Sequence, residues 1–284
     1  MVFQADAAFA FLWQENTGEK VNCGGRIERA VCESVTLPLH VRSRYVVFGD
    51  CHRGTGNMSD NFLQNRHLYA AALKHYCAEN FFYLELGDGE ELWENRSQER
   101  IMECHSDMYD IFRCLKAHGR YCRIYGNHDM ELKRILPEGI CLKNQEGGRD
   151  IYIIHGHQAD FFNSACWRLS RFLVRYLWKP LELFGVNDPT SAARNYRKVH
   201  KYEKCMVQAA KRMDSYLLAG HSHRPHLMEG ELYVNAGSCV HPQGITAIEI
   251  EHMQMSLVKW IVGSKKDGTL YVEREVLMAD VPIL

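Results

Sequence analysis

Apolar runs and amphipathic stretches alternate through the first half of the chain. Residues 45–48, 81–86 and 121–125 are short apolar runs, each followed by glycine, and they predict buried strands. Between them, residues 61–79 and 99–118 carry apolar side chains at helical spacing and predict two helices. The order strand, helix, strand, helix, strand is typical of an α/β fold.

The second half of the chain adds a series of predicted strands. The first two of these end directly at histidine or glycine, and two more apolar runs follow. The last two alternate apolar and polar residues around the turn Lys266-Asp267-Gly268, which is typical of an antiparallel pair. The predicted strands are residues 151–154, 216–219, 232–234, 245–250, 257–262 and 269–276.

A long stretch before the fifth predicted strand lacks strand character. Within it, residues 167–178 have aromatic and aliphatic residues on one helical face and arginines on another. We predict that residues from about 158 to 213 form a helical cap inserted into a single domain of residues 1–284, with residues 1–40 as an N-terminal extension. A chain of 284 residues, 46% of them hydrophobic, is long enough to bury one large core.

Polar residues come directly after five of the predicted strands. Because open α/β sheets bind ligands beyond the carboxyl ends of their strands, we expect these side chains to meet at one edge. The five blocks are Gly49-Asp50-Cys51-His52, Gly87-Asp88-Gly89-Glu90-Glu91, Gly126-Asn127-His128-Asp129, His155-Gly156-His157 and Gly220-His221-Ser222-His223.

The donor atoms in these blocks suit two divalent metal ions. Such a pair neutralises a phosphoryl group and activates a water, and it requires one carboxylate that bridges both ions. We predict Asp88 as the bridge. The other ligands fall into two sets, which are Asp50, His52 and His223 for one ion and Asn127, His155 and His221 for the other. Because no cysteine is needed, the set favours Mn²⁺, Fe²⁺/Fe³⁺ or Zn²⁺.

The five blocks, in this order, resemble the calcineurin-like metallophosphoesterases. The pattern of that family is D-x-H, G-D-x-x-D/E, G-N-H-D/E, an H-G block and G-H-x-H, and the match extends from Asp50 to His223. The resemblance implies a four-layer α/β/β/α sandwich of two sheets flanked by helices. It also implies a dinuclear metal site that hydrolyses phosphate esters.

The resemblance further implies roles for individual residues. His128, with Asn127, would bind the phosphoryl oxygens and protonate the leaving oxygen, and Asp129 would orient His128 for that work. Glu91 would support the metal ligands from behind. Further candidates for contact with the ligands or the substrate are Arg53, His157, Arg224 and His241.

Local motifs place the chain near the UDP-2,3-diacylglucosamine diphosphatase branch of that family. Gly87-Asp88-x-x-Glu91-x-Trp93 and Gly220-His221-x-His223-Arg224-Pro225 resemble it, as does the basic helical insertion. However, the branch usually has arginine at the position of His128 and aspartate at that of His157. This departure favours a general phosphomonoesterase or phosphodiesterase over a pyrophosphate hydrolase acting on a UDP-linked acylated sugar.

Several interpretations of the partners stay open. The substrate is a small phosphoester, lipid- or nucleotide-linked in the narrower interpretation. The apolar face of residues 167–178 packs on the core, lines a groove for acyl chains or rests on a membrane surface. A non-catalytic scaffold of the same fold, as in the metallophosphoesterase-like retromer subunit, is the alternative to an enzyme. Such scaffolds typically lose the catalytic histidine, which is present here as His128.

Composition limits the cellular compartment and the classes of partner that we expect. The net charge of −1 creates no global field that favours nucleic acid, so we expect no specific nucleic-acid binding. The eleven cysteines are odd in number and include no C-x-x-C pair, which favours free thiols in a reducing compartment. The chain begins without a basic n-region, and no apolar run approaches the roughly 20 residues that span a bilayer. We therefore expect a cytoplasmic protein.

Overall fold

Two β-sheets form the centre of the protein. The structure is a computed structural model, and it describes residues 23–57, 60–178 and 196–284. The first sheet has the order β1-β5-β6-β7-β8, with every pair parallel except β5 and β6. Its strands are β1 (Val35–Leu39), β5 (Gly139–Asn144), β6 (Ile151–Ile154), β7 (Tyr216–Ala219) and β8 (Tyr233–Asn235).

The second sheet has six strands in the order β11-β10-β9-β2-β3-β4. The strands β2, β3 and β4 are parallel, whereas β9, β10 and β11 join them as an antiparallel set. The bounds are β2 (Arg44–Phe48), β3 (Phe82–Glu85), β4 (Tyr121–Arg123), β9 (Ile245–Glu251), β10 (Gln254–Ser264) and β11 (Leu270–Pro282).

Helices cover the outer face of each sheet. The described α-helices are α1 (Cys23–Cys32), α2 (Arg66–Ala78), α3 (Gln98–Cys104), α4 (Ser106–Ala117), α5 (Phe161–Ser164), α6 (Trp167–Leu173) and α7 (Tyr196–Met213). A π-helical turn, Val174–Trp178, continues α6. Single 3₁₀ turns cover Leu63–Asn65, Met130–Arg134 and His157–Ala159.

The buried side chains form three apolar layers. Strand β2 shows why, because its successive side chains point to opposite faces: Tyr45 and Val47 enter the core between the sheets, whereas Val46 and Phe48 pack under α2 and α4. A third cluster joins α1 and α7 to the first sheet through residues such as Ile27. Burial of one such side chain stabilises the fold by about 1.5–3 kcal/mol. The predicted α/β/β/α sandwich is confirmed.

Several element boundaries differ from the sequence prediction. Residues 23–39, assigned to an N-terminal extension, contribute α1 and the edge strand β1. The single helix predicted over 99–118 is broken at His105, whose Nε2 lies 3.2 Å from Gly54 O and 3.1 Å from Asp60 Oδ2. These contacts with a distant loop hold His105 in a non-helical conformation between α3 and α4.

The described parts of the predicted cap are helical. Helices α5 and α6 and the π-helical turn cover 161–178, and α7 covers the end of the region. Helix α7 buries Tyr202 and Met206 against the first sheet, so it is part of the outer helix layer. Residues 1–22 of the predicted extension and 179–195 of the predicted cap lie outside the described residues.

Two of the eleven cysteines are paired, contrary to the expectation of free thiols. Cys23 at the start of α1 and Cys205 in α7 form a disulfide across 182 positions of the chain. The other nine are free. The disulfide links the two helices that cover the first sheet. Among the described residues, no helix has both the length and the apolar character needed to cross a bilayer.

Candidate metal centre

The polar blocks meet where strands of both sheets end. Asp50, Asp88 and Asn127 follow β2, β3 and β4 of the second sheet, whereas His155 and His221 follow β6 and β7 of the first. All five are buried. Because the strands within each of these two sets are parallel, their carboxyl ends place the side chains at a common edge, as the sequence predicts.

Asp88 lies at the centre of one group of donors. Its Oδ2 is 3.2 Å from His155 Nε2 and 3.7 Å from His52 Nε2. His155 Nε2 is also 3.1 Å from Asn127 Oδ1, while its Nδ1 is 3.0 Å from Leu86 O, which fixes the ring. The donor atoms of Asp88, His155 and His221 lie within 4.8 Å of one another, the spacing of ligands that share one ion.

A second group surrounds Asp50. His223 Nε2 is 3.1 Å from Asp50 Oδ1, and His52 Nε2 is 3.9 Å from the same oxygen. The donor atoms of these three residues also lie within 4.8 Å of one another. His52 Nε2 therefore faces both Asp50 and Asp88, so the two groups are adjacent. The structure brings together all seven residues that the sequence predicts as metal ligands.

The backbone at the site is held in an unusual conformation. Among the described residues, five of the predicted ligands have left-handed φ angles, namely Asp50, His52, Asp88, His221 and His223, with φ between 48° and 63°. For a residue other than glycine this conformation costs about 1 kcal/mol or more. Main-chain hydrogen bonds impose it: Asp50 N donates to Gly87 O, and His52 N donates to Asp88 O.

Unpaired nitrogens fit the presence of metal ions. His52 Nε2 and His221 Nε2 are buried and have no hydrogen-bond partner within the described parts of the chain. Burial of such an atom is costly unless a ligand satisfies it. Both nitrogens face carboxylates, as in a site of imidazole and oxygen donors for Mn²⁺, Fe²⁺/Fe³⁺ or Zn²⁺. The residues present therefore fit a pair of divalent ions.

Asp160 is an acidic neighbour that the sequence analysis missed. Its Oδ2 lies 3.9 Å from His221 Nε2, beyond hydrogen-bond range. Its Oδ1 accepts from Phe162 N at 3.0 Å and so caps the start of α5. No motif marked this residue, because its place beside His221 depends on how the loop after His157 folds.

Glu91 positions two histidines at once. One oxygen is 2.9 Å from His52 Nδ1 and the other is 2.8 Å from His128 Nδ1. Since an ionised carboxylate only accepts hydrogen bonds, both Nδ1 atoms donate to it, which leaves the Nε2 atom of each ring for other partners. Burial works to lower the pKa of His128, but the charges of Glu91 and Asp88 outweigh burial and raise it to about 10.

Asp129 does not make the contact with His128 that the resemblance implies. Its carboxylate accepts from Gly126 N and, at 2.9 Å, from Gly89 N, and it pairs with Arg123 at 2.7 Å. It therefore ties together the two loops that carry Asp88 and Asn127. The side-chain contact with His128 is made instead by Glu91, which is 37 positions away in the chain.

Arg53 is a structural residue and not a substrate contact. Its side chain is fully buried, and its guanidinium lies 2.6 Å from Glu85 and 3.8 Å from Glu90. Arg123 pairs with the same two glutamates. These buried charges form an ionic network beneath the Asp88 loop.

The three remaining candidate residues differ in burial and in the groups that they contact. His157 is buried, with its ring centroid 5.5 Å from that of His155, and burial together with His155 and His221 holds its pKa well below the usual range. His157 is therefore neutral and packs beside His155. Arg224 is half exposed and pairs with Glu203 at 3.6 Å. His241 lies in an exposed turn, where its Nδ1 accepts from Gln243 N.

Comparisons with known proteins give a likeness of fold only. No protein family model matches the chain, and no curated protein matches it. A solved structure of Chaetomium thermophilum Vps29 is 14% identical, covers 86% of this chain and 100% of its own, and has a TM-score of 0.45. A second, Vps29 complexed with the RaPID-derived cyclic peptide RT-D3, has the same identity and coverage and a TM-score of 0.38. Likenesses of this size do not distinguish a hydrolase from a scaffold.

Proposed function

We propose that the protein is a metal-dependent phosphoesterase. The observation that carries the proposal is the arrangement around Asp88: two adjacent groups of His and Asp donors share His52 as a common neighbour, and His128 is held beside them by Glu91. The Nε2 atoms of His52 and His221 support the proposal, because each is buried, lacks a hydrogen-bond partner among the described residues and faces a carboxylate.

The residues that would hold the metals divide as the sequence predicts. Asp88 would bridge, Asp50, His52 and His223 would complete one position, and Asn127, His155 and His221 would complete the other. Divalent ions held there supply positive charge against the phosphoryl oxygens and lower the pKa of a water for attack on phosphorus. The carboxylates make this region attractive to positive charge, since Asp88 and Asp50 outweigh the effect of burial and raise the pKa of His155 to about 9.

His128 is the general acid of the proposed reaction. Its Nδ1 is fixed on Glu91, so a protonated ring presents Nε2–H to the leaving oxygen, and the carboxylate stabilises the imidazolium. The proton passes to that oxygen as the bond to phosphorus breaks and the bonding electron pair stays with oxygen. The His128 side chain is 22% exposed, so a substrate can reach it. Asn127, whose Oδ1 is 3.1 Å from His155 Nε2, would bind a phosphoryl oxygen through its amide N–H.

Hydrolysis of simple esters tests the proposal directly. Protein loaded with manganese or zinc is assayed with p-nitrophenyl phosphate and bis(p-nitrophenyl) phosphate, which separates monoesterase from diesterase activity. Asp88→Asn should remove both bound metal and turnover. His128→Gln should keep the metal and lower kcat by about 10²–10⁴-fold, the contribution of a general acid.

A matched control uses an exposed histidine at the end of α4. His118→Gln should leave kcat unchanged, because His118 bonds only within its own helix terminus among the described contacts. If the metal-loaded protein turns over neither ester, or if His128→Gln is as active as His118→Gln, the enzyme proposal is wrong. A metal-binding scaffold would then be the better description.

An acylated, nucleotide-linked substrate is the second candidate. Large apolar side chains near the site are exposed by 45–58%, namely Phe161, Phe162, Leu169, Phe172, Tyr176 and Leu177. An exposed apolar surface beside a polar site is suited to acyl chains or to a membrane surface. Hydrolysis of a UDP-linked acyl sugar faster than that of the simple esters would favour this candidate. Equal rates with and without the acyl chains would exclude it.

A further inference from the structure

Arg175 fastens the π-helical turn after α6 to the loop that follows the Asp88 block. Its Nε donates to Trp93 O at 2.7 Å, and one of its terminal nitrogens donates to Leu92 O at 2.7 Å and to Asn95 O at 3.2 Å. Three main-chain carbonyls of one loop therefore accept from a single guanidinium. Its planar fork of donors suits this arrangement, which a lysine ammonium cannot reproduce.

Trp93, which Arg175 holds by its carbonyl, stacks on His128. The ring centroids are 4.3 Å apart and the ring planes differ by 22°. Trp93 is 2% exposed and therefore cannot turn away without disrupting its surroundings. Stacked rings at this separation attract each other, so the indole limits rotation of the imidazole.

The imidazole of His128 is thus held from three directions. Glu91 fixes Nδ1 at 2.8 Å, Trp93 covers one face, and the His52 ring meets it edge-on at 4.6 Å between centroids. Two of these contacts, Glu91 and His52, belong to the metal centre. The third contact, with Trp93, depends on Arg175, which lies in the π-helical turn and donates to the main-chain carbonyl of Trp93.

We propose that Arg175 is a positioning residue for proton transfer, acting on His128 through Trp93. The proposal rests on the function proposed above, in which His128 Nε2–H gives its proton to the leaving oxygen. With Arg175 in place, the ring is held where that proton meets the departing atom. Without it, the 92–95 loop relaxes, the stacking loosens and the acid is misplaced, and a displacement of about 1 Å can cost on the order of 10²-fold in rate.

Esters with different leaving groups provide the readout. A p-nitrophenolate departs with little help from an acid, whereas a phenolate needs protonation. We therefore compare p-nitrophenyl and phenyl esters of whichever class, monoester or diester, the wild type hydrolyses. Arg175→Ala should lower kcat for the phenyl ester by about 10–100-fold and for the p-nitrophenyl ester by no more than about threefold. Bound metal should not change.

Matched variants separate positioning from loss of charge or of structure. Arg168→Ala removes an exposed arginine of the same helical segment and should leave the ratio of the two rates unchanged. Trp93→Leu should reproduce the effect of Arg175→Ala, whereas Trp93→Phe keeps a ring against His128 and should retain at least about half of the wild-type ratio. Arg175→Lys should resemble Arg175→Ala, because a point charge cannot satisfy three carbonyls.

Each outcome has a separate meaning. Suppose that His128→Gln lowers kcat for the phenyl ester more than for the p-nitrophenyl ester, relative to the wild type. If Arg175→Ala then lowers kcat for both esters equally, the inference is overturned and the proposed function stands. The inference is also overturned if Trp93→Phe is as impaired as Trp93→Leu. If the wild type hydrolyses neither ester, the proposed function fails first. An unfolded Arg175→Ala variant would be recognised by loss of bound metal. In that case, the comparison of Trp93→Leu with Trp93→Phe tests the inference.

Discussion

At the scale of single residues, the site depends on contacts between residues far apart in sequence. The resemblance to the metallophosphoesterases implies that Asp129 contacts His128, yet the side chains of these adjacent residues have different partners. Glu91, 37 positions away, makes that contact and also holds His52. The residues that lie together at the site were therefore predictable from the five blocks, whereas the partners that orient them were not.

Replacement of Glu91 by glutamine tests this shared carboxylate. The amide keeps the shape of the side chain but loses the charge that stabilises two imidazole rings, so both metal affinity and kcat should fall by about 10–100-fold. Metal content by mass spectrometry and steady-state kinetics measure the two effects. The control Glu103→Gln changes an exposed glutamate on α3 and should leave both values intact. Unchanged metal content in the Glu91 variant would contradict the assignment.

At the scale of elements, the strands that end at glycine were predicted well, whereas β1 and its neighbour β5 were not predicted. Strand β1 carries a proline and is mostly exposed, so it lacks the apolar run or clean alternation that marks a strand. It pairs with β5 at the border of the first sheet, where the missing N–H of Pro38 is tolerated. Only the tertiary pairing reveals it. The break at His105 was likewise invisible, because Gly54 and Asp60 cause it from another loop.

A buried ionic network supports the loops after β3 and β4. Arg123 contacts Glu85, Glu90 and Asp129, and burial would penalise these charges if any partner were removed. Arg123→Met should therefore lower the free energy of unfolding by about 3–5 kcal/mol, measured by urea denaturation. The control Arg113→Met breaks an exposed pair with Asp110 on α4 and should cost at most about 1 kcal/mol. Equal losses in both variants would show that the buried network does not stabilise the loops.

The same loops approach each other so closely that Gly126 tolerates no side chain. A Cβ there would lie 2.6 Å from Asp88 N and would overlap the carboxylate of Asp88. Gly126→Ala should displace this carboxylate and lower metal affinity by at least about tenfold. Gly119→Ala is the control, since a Cβ there meets no atom within 4 Å, although its φ of 66° is unfavourable. It should lose stability without losing metal, and the reverse result would refute the prediction.

At the scale of the whole molecule, contacts within the fold hold the candidate metal ligands in place. Main-chain hydrogen bonds fix the left-handed backbone of Asp50 and His52, and three apolar layers surround the sheets. The order of strands and helices predicted an α/β fold, and the resemblance to the metallophosphoesterases implied the four-layer arrangement. The disulfide was not predictable, because neither Cys23 nor Cys205 lies in a recognisable spacing.

Removal of metal should therefore leave the protein folded. Treatment with a chelator should abolish turnover and keep the far-ultraviolet circular dichroism. The free energy of unfolding should fall only by the linkage term, about 2.7 kcal/mol for an ion present at 100 times its dissociation constant. Readdition of manganese or zinc should restore both stability and activity. Collapse of the secondary structure on chelation would show instead that ions are needed for folding.

The candidate metal ligands come from both sheets, and this has a consequence for remote parts of the core. Asp88 extends from one sheet and His155 from the other, so their 3.2 Å separation depends on how the two sheets are spaced. Close-packed interiors transmit small changes in volume. A small deletion in the core between the sheets, such as Leu218→Val, removes one methylene and would therefore change which cation the proposed site prefers without altering any donor. The selectivity for one cation over another would then depend on the distance between the two β-sheets.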